Sequence, residues 1–70
     1  MNELVQQAIE LLGTQQLLAE ACSVSQNAVS KWLNGGAISL ENALRIERAT
    51  QGKVKAEYFS PEFSHLLSRN

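Results

Sequence analysis

Four residues suited to ending a chain's extended stretch and starting a helix stand at Asn2, Thr14, Ser25 and Ser39, and each is followed by a short run with helical apolar rhythm. A side-chain oxygen at such a position accepts from an otherwise unpaired N–H of the first turn, so these four places predict four helix starts. The first run is Glu3–Leu12, where Leu4, Val5, Ala8, Ile9 and Leu12 repeat on one helical face, Leu11 widens it, and Gly13 offers the left-handed stop. The second is Gln15–Cys22, turned by Ser23 and Val24; the third is Gln26–Asn34, ended by Gly35–Gly36; the fourth is Leu40–Thr50, stopped by Gly52. Lys53–Phe59 fits a strand or one more helical turn, and Ser60–Pro61 is expected to break any helix there. The expectation is an all-α fold, a compact bundle of four to five short helices. Residues 1–60 form one domain on this reading, with 61–70 a partly flexible, frayed tail.

Composition narrows the function classes. One Cys and one His among 70 residues cannot supply four protein ligands to zinc or close an intrachain disulfide. The single thiol, Cys22, on the apolar side of the second helix with Leu18, reads as a small buried hydrophobe and fits a reducing cytoplasm. No apolar stretch approaches the roughly 18 residues of a membrane span, and the first residues carry Glu3 and Glu10 without a basic residue, unlike a signal peptide. Phosphate-loop, serine-hydrolase and zinc-protease motifs do not occur. The chain is therefore expected to be no enzyme, to need no cofactor or metal, and to act on no small-molecule substrate or membrane. His65 is assigned no role.

The charges are segregated. Residues 1–30 carry Glu3, Glu10 and Glu20 and no Lys or Arg, whereas residues 31–55 carry Lys31, Arg45, Arg48, Lys53 and Lys55 against Glu41 and Glu47, a local +3 in a chain of net charge −1. Local charge decides which polyanion a surface can meet. The four later cations either touch phosphates or pair with Glu41 and Glu47. Glu47, near the apolar side of its helix, reads as structural, accepting from a neighbouring helix start or pairing with a cation.

Thr14–Asn34 carries the sharpest pattern. On a helical wheel, Ala28, Val29, Trp32 and Leu33 share one side of the third helix, and Gln26, Asn27, Ser30, Lys31 and Asn34 the other. The apolar side must pack inward, which makes Trp32 a core residue. The polar side has amides, a hydroxyl and an ammonium but no carboxylate. Gln26 and Asn27 can each pair with adenine N6 and N7, Lys31 can donate to guanine O6 and N7, and Ser30 suits several bases. Thr14, Gln15 and Gln16 open the second helix, where side chains and free N–H groups suit a phosphate; Ser25 and Asn34 flank the third helix in the same way. If Gln15 is the first residue of a helix-turn-helix, Ala19 is fifth, where a small residue lets two helices cross, and Ser23 ninth, where the turn usually has Gly. Val29 and Trp32 then take packing positions fifteen and eighteen.

The unit resembles the Cro-type repressors of temperate phages. The longer string GTQQLLAEACSVSQNAVSKWLNGG, with ALRIERATQGKV after it, is similar to the YdaS-like branch of small prophage regulators over about residues 8 to 60. That resemblance implies a lambda-repressor-like bundle around a central helix-turn-helix, and a sequence-specific regulator of a phage or prophage promoter, located in the bacterial cytoplasm. Its expected partner is a double-stranded DNA operator, palindromic and read by a homodimer, with Gln26, Asn27, Ser30 and Lys31 on the bases. The alternative is an antitoxin-type DNA-binding protein whose apolar tail, with Tyr58, Phe59, Phe63, Leu66 and Leu67, grips a toxin or other protein.

Overall fold

Each of the four expected caps is in place. In the computed structural model, which describes residues 2–68, Asn2 Oδ1 accepts from the N–H groups of Leu4 and Val5 at 3.0 and 3.2 Å. Thr14 Oγ1 accepts from Leu17 N–H at 3.1 Å, Ser25 Oγ from Ala28 N–H at 3.1 Å, and Ser39 Oγ from Asn42 N–H at 3.2 Å. The helices they open are α1 (Glu3–Leu12), α2 (Gln15–Cys22), α3 (Gln26–Leu33) and α4 (Leu40–Ala49). Asn34 and Thr50 are C-caps rather than last helical residues, so α3 and α4 are one residue shorter than the apolar rhythm suggests.

The turn between α2 and α3 is a left-handed closure built on a residue with a side chain. Ser23 has φ 58° and ψ 41°, its N–H turns back to the carbonyls of Ala19 and Glu20, and Val24 N–H bonds the Ala19 carbonyl at 3.0 Å. These bonds satisfy carbonyls that the end of a helix leaves open. The next turn does need glycine. A Cβ on Gly36 would lie 2.7 Å from the Lys31 carbonyl oxygen, the atom that Gly36 N–H itself bonds at 2.7 Å.

α2 lies at the centre, packed against α1, α3 and α4. The main core joins Val5, Ala8 and Ile9 of α1 with Leu18, Ala19 and Cys22 of α2, Val29 and Trp32 of α3, Ile46 of α4, and Val54. Ala19 is buried, consistent with the close crossing its small size allows. A second cluster joins Ala43 of α4, Ala56 and Phe63.

One alternative for the C-terminal part holds and one expectation is corrected. Lys53–Phe59 is not a strand but holds one more helical turn, of 3-10 type, Ala56–Tyr58. Pro61 does not leave a frayed tail behind it; it opens a further helix, α5 (Pro61–Leu67). The rule about the residue before proline holds, since Ser60 is extended at φ −159° and ψ 132°. What the proline does next is the other half of its chemistry: its fixed φ suits the first helical position, where an N–H would have no partner in any case. Burial of Phe63 against Ala43 and Ala56 then holds α5 down. Residues 69 and 70 of the expected tail lie outside the described residues.

Glu47 and Thr50 tie the second half together. Glu47 Oε1 accepts from Ala56 N–H at 2.8 Å, so the carboxylate holds the start of the 3-10 turn, one of the two roles expected of it. The buried Thr50 hydroxyl donates to the Ile46 carbonyl at 2.9 Å and accepts from Val54 N–H at 3.1 Å. Both bonds satisfy groups that burial would otherwise leave without a partner.

Two substitutions test this account. Trp32→Ala removes a side chain that is 4% exposed. It should cost about 3–5 kcal/mol, a large share of the stability of so small a domain. A thermal melt close to wild type would contradict the core position. Ser23→Gly relieves the left-handed strain of a residue with a Cβ and should stabilise by about 0.5–1 kcal/mol. That gain would appear as a rise of the denaturant midpoint with unchanged slope.

Candidate nucleic-acid interface

α3 owes its orientation to its inner side. Val29 and Trp32 are buried, and Ala28 and Leu33 pack partly against the same core. That leaves Gln26, Asn27 and Lys31 exposed and Ser30 half-buried. None of these four side chains spends a hydrogen bond or ion pair within the described residues. Their donors and acceptors face water and stand open to a ligand.

The far end of α3 is held by two backbone bonds that the sequence reading missed. Asn2 N–H donates to the Leu33 carbonyl at 2.8 Å, and Gly36 N–H to the Lys31 carbonyl at 2.7 Å. Asn2 thus caps α1 with its side chain and braces α3 with its backbone. Only the cap leaves a signal in residue type. The second bond had a signal in Gly35–Gly36, which read as a stop and not as a contact.

The residues expected to meet phosphates are not equivalent. Thr14, Gln16, Ser25 and Asn34 are exposed, and Gln15 is half-buried. The hydroxyl oxygens of Thr14 and Ser25 accept from backbone N–H groups, and each hydroxyl hydrogen remains to donate outward. Gln16 Nε2 donates to Glu20 Oε2 at 3.2 Å, so one of its two amide hydrogens is engaged and a carboxylate lies one turn away.

The later cations divide. Arg45 pairs with Glu41 at 3.1 Å and reaches Asn42 Oδ1 at 3.4 Å, the salt-bridge outcome of the two that the charge pattern left open. Arg48, Lys53 and Lys55 are exposed and form no ion pair among the described residues. No group of three or more His, Cys, Asp or Glu able to hold a metal occurs among those residues, and no helix is long and apolar enough to cross a membrane.

Against this geometry, the model of a protein family described as bacterial toxin YdaS matches residues 5–65. The chain belongs to this YdaS family. Comparison with curated proteins and with solved structures returns no match. The family match begins at Val5 of α1, takes in α2, α3 and α4 whole, and ends at His65 of α5. It therefore bears out the YdaS-like resemblance that the string from Gly13 to Gly36 carries.

Cys22, inside the matched segment, is 1% exposed in the main core. Burial pushes its thiol up from the ordinary value, and the Arg45 guanidinium acts in the opposite sense with smaller effect. The folded chain thus holds the thiol proton more tightly than the unfolded one. The stability this contributes is complete at pH below the unfolded thiol's titration and is lost as pH rises from there through the raised titration of the folded thiol. Thiolate is the reactive form. Native protein should react with an aromatic disulfide reagent at pH 8 much more slowly than protein in denaturant. Equal rates would show that Cys22 is accessible.

Proposed function

We propose that this chain is a sequence-specific double-stranded DNA-binding regulator of transcription that reads the major groove with α3. The observation that carries this reading is the outward row Gln26, Asn27, Ser30 and Lys31, with unspent hydrogen-bonding capacity on a helix locked from behind by Val29 and Trp32. Amides at Gln26 and Asn27 match adenine, and the Lys31 ammonium matches guanine. Thr14, Gln15, Gln16, Ser25 and Asn34 set the register through phosphates. A single eight-residue reading helix touches few base pairs. Two copies on a palindromic operator, with reading helices about 34 Å apart, supply the remaining affinity and specificity. The role needs no catalytic step and no cofactor, and it places the protein in the bacterial cytoplasm as a Cro-like repressor of a phage or prophage promoter.

The word toxin in the family description suits the same reading. A regulator acting on the wrong promoter harms a cell through transcription, with no chemistry of its own. A second reading, an antitoxin-type protein that also grips a protein partner, is favoured by Tyr58 of the 3-10 turn and Leu66 of α5, which are 55% and 58% exposed. Deleting the tail from Phe59 would not test it cleanly, because Phe63 belongs to the second core cluster. Tyr58→Ser with Leu66→Ser removes the exposed apolar groups and spares the core.

Selection from random duplexes should return a consensus, and affinity for it should fall steeply with salt as phosphate contacts release counterions. Lys31→Ala should relax preference at one base position by about 1–3 kcal/mol. Absence of any consensus would rule out this function.

A further inference from the structure

We propose that Lys53 is a contact for a DNA backbone phosphate, held at the last turn of α1, just ahead of the segment that opens α2, by the groove between α1 and the turn after α4. The inference rests on the DNA-reading function proposed for α3. Leu11 and Leu12 of α1 form one side of the groove, and Thr50, Gln51 and Lys53 line the other. Lys53 therefore sits against the last turn of α1, two residues before Thr14, which begins the segment assigned to phosphate contact.

The closure at the end of α4 turns the chain into this position. Gln51 is left-handed at φ 58°, Gly52 follows at φ +82°, and Thr50 Oγ1 accepts from Val54 N–H across the turn. Lys53 itself is exposed. Glu10 lines the adjoining hollow with it, but the two form no ion pair. A lysine acts as a point charge on a flexible four-carbon stem and needs no fixed angle to meet a phosphate. Gln15 and Gln16 offer neutral hydrogen-bond donors only, and Glu20 sits close to Gln16. Lys53 supplies the positive charge that this end of the site otherwise lacks.

The test uses the full chain and the consensus duplex from selection. Wild type, Lys53→Ala and Gln16→Ala are titrated by fluorescence anisotropy over a salt series. The titrations are repeated on duplexes with single methylphosphonate replacements that neutralise one phosphate at a time. Lys53→Ala should leave the selected consensus unchanged and lower the slope of log affinity against log salt by about 0.9. It should also lose sensitivity to one replacement, at or next to the phosphate that Gln16→Ala identifies. An unchanged slope, or a Lys53 phosphate remote from that of Gln16, overturns the proposal. Failure of wild type to select any consensus is a different result and removes the DNA reading itself. Thermal melting of each variant checks that exposed substitutions leave the fold intact.

Discussion

Burial of one stripe of α3 is the constraint on which the rest depends. Eight residues are too few to hold a helix in water by hydrogen bonds alone, because nucleating the first turn costs more than so short a run returns. Val29 and Trp32 solve this by packing against α2 and α1. The ends are closed separately, by the Ser25 cap, by Asn2 N–H on the Leu33 carbonyl and by Gly36 N–H on the Lys31 carbonyl. Little conformational freedom remains for the backbone that carries Gln26, Asn27, Ser30 and Lys31. A ligand meeting these side chains would have to order their rotamers but not the helix beneath them, which lowers the cost of recognition.

Charge works in a different way from packing here. The chain is acidic overall, and Lys31 is the one cation between Met1 and Trp32. On the proposed function, a helix with so little charge would attract DNA weakly at long range and gain most at hydrogen-bond distance, where a wrong base leaves buried polar groups unmatched. Weak general attraction also limits competition from the many non-specific sites that phosphate contacts alone would favour. The cations are therefore more useful as a few placed contacts than as a diffuse cloud. Arg45 is already tied to Glu41, and Arg48, Lys53 and Lys55 are exposed cations that form no ion pair among the described residues.

Much of the fold was legible because it rests on local chemistry. Asn2, Thr14, Ser25 and Ser39 each act within three residues of themselves, so their capping could be read from residue type. The inward side of α3 could be read from apolar spacing, and Trp32 and Val29 lie where it put them. What escaped was either non-local or double-valued. The bond from Asn2 to Leu33 spans most of the helix-turn-helix and involves only backbone atoms. Pro61 was double-valued, since proline both ends one helix and starts another. The choice between these was made by Phe63, whose burial depends on Ala43 and Ala56 and hence on tertiary packing. In the site, residue types identified which side chains carry hydrogen-bonding capacity. The pairings that leave it open or engage it, such as Gln16 with Glu20, needed the geometry.

The two core clusters are not independent, and one of the residues that join them lies in the connection after α3. Ile38 and Phe59 each pack against both. Ile38 belongs to the connection between α3 and α4, and Phe59 to the link between the 3-10 turn and α5. The connection after α3 is thus pinned at its start by Gly36, which admits no side chain against the Lys31 carbonyl, and near its end by Ile38 and the Ser39 cap. Such a segment has little freedom to swing between those points, although it is a loop by secondary structure. α5 is coupled to this connection through the cluster it shares with Ile38 and Phe59. Phe63 and Leu67 of α5 pack in the same cluster as Ile38 and Phe59, so the packing that holds α5 down also takes in the chain that leaves α3.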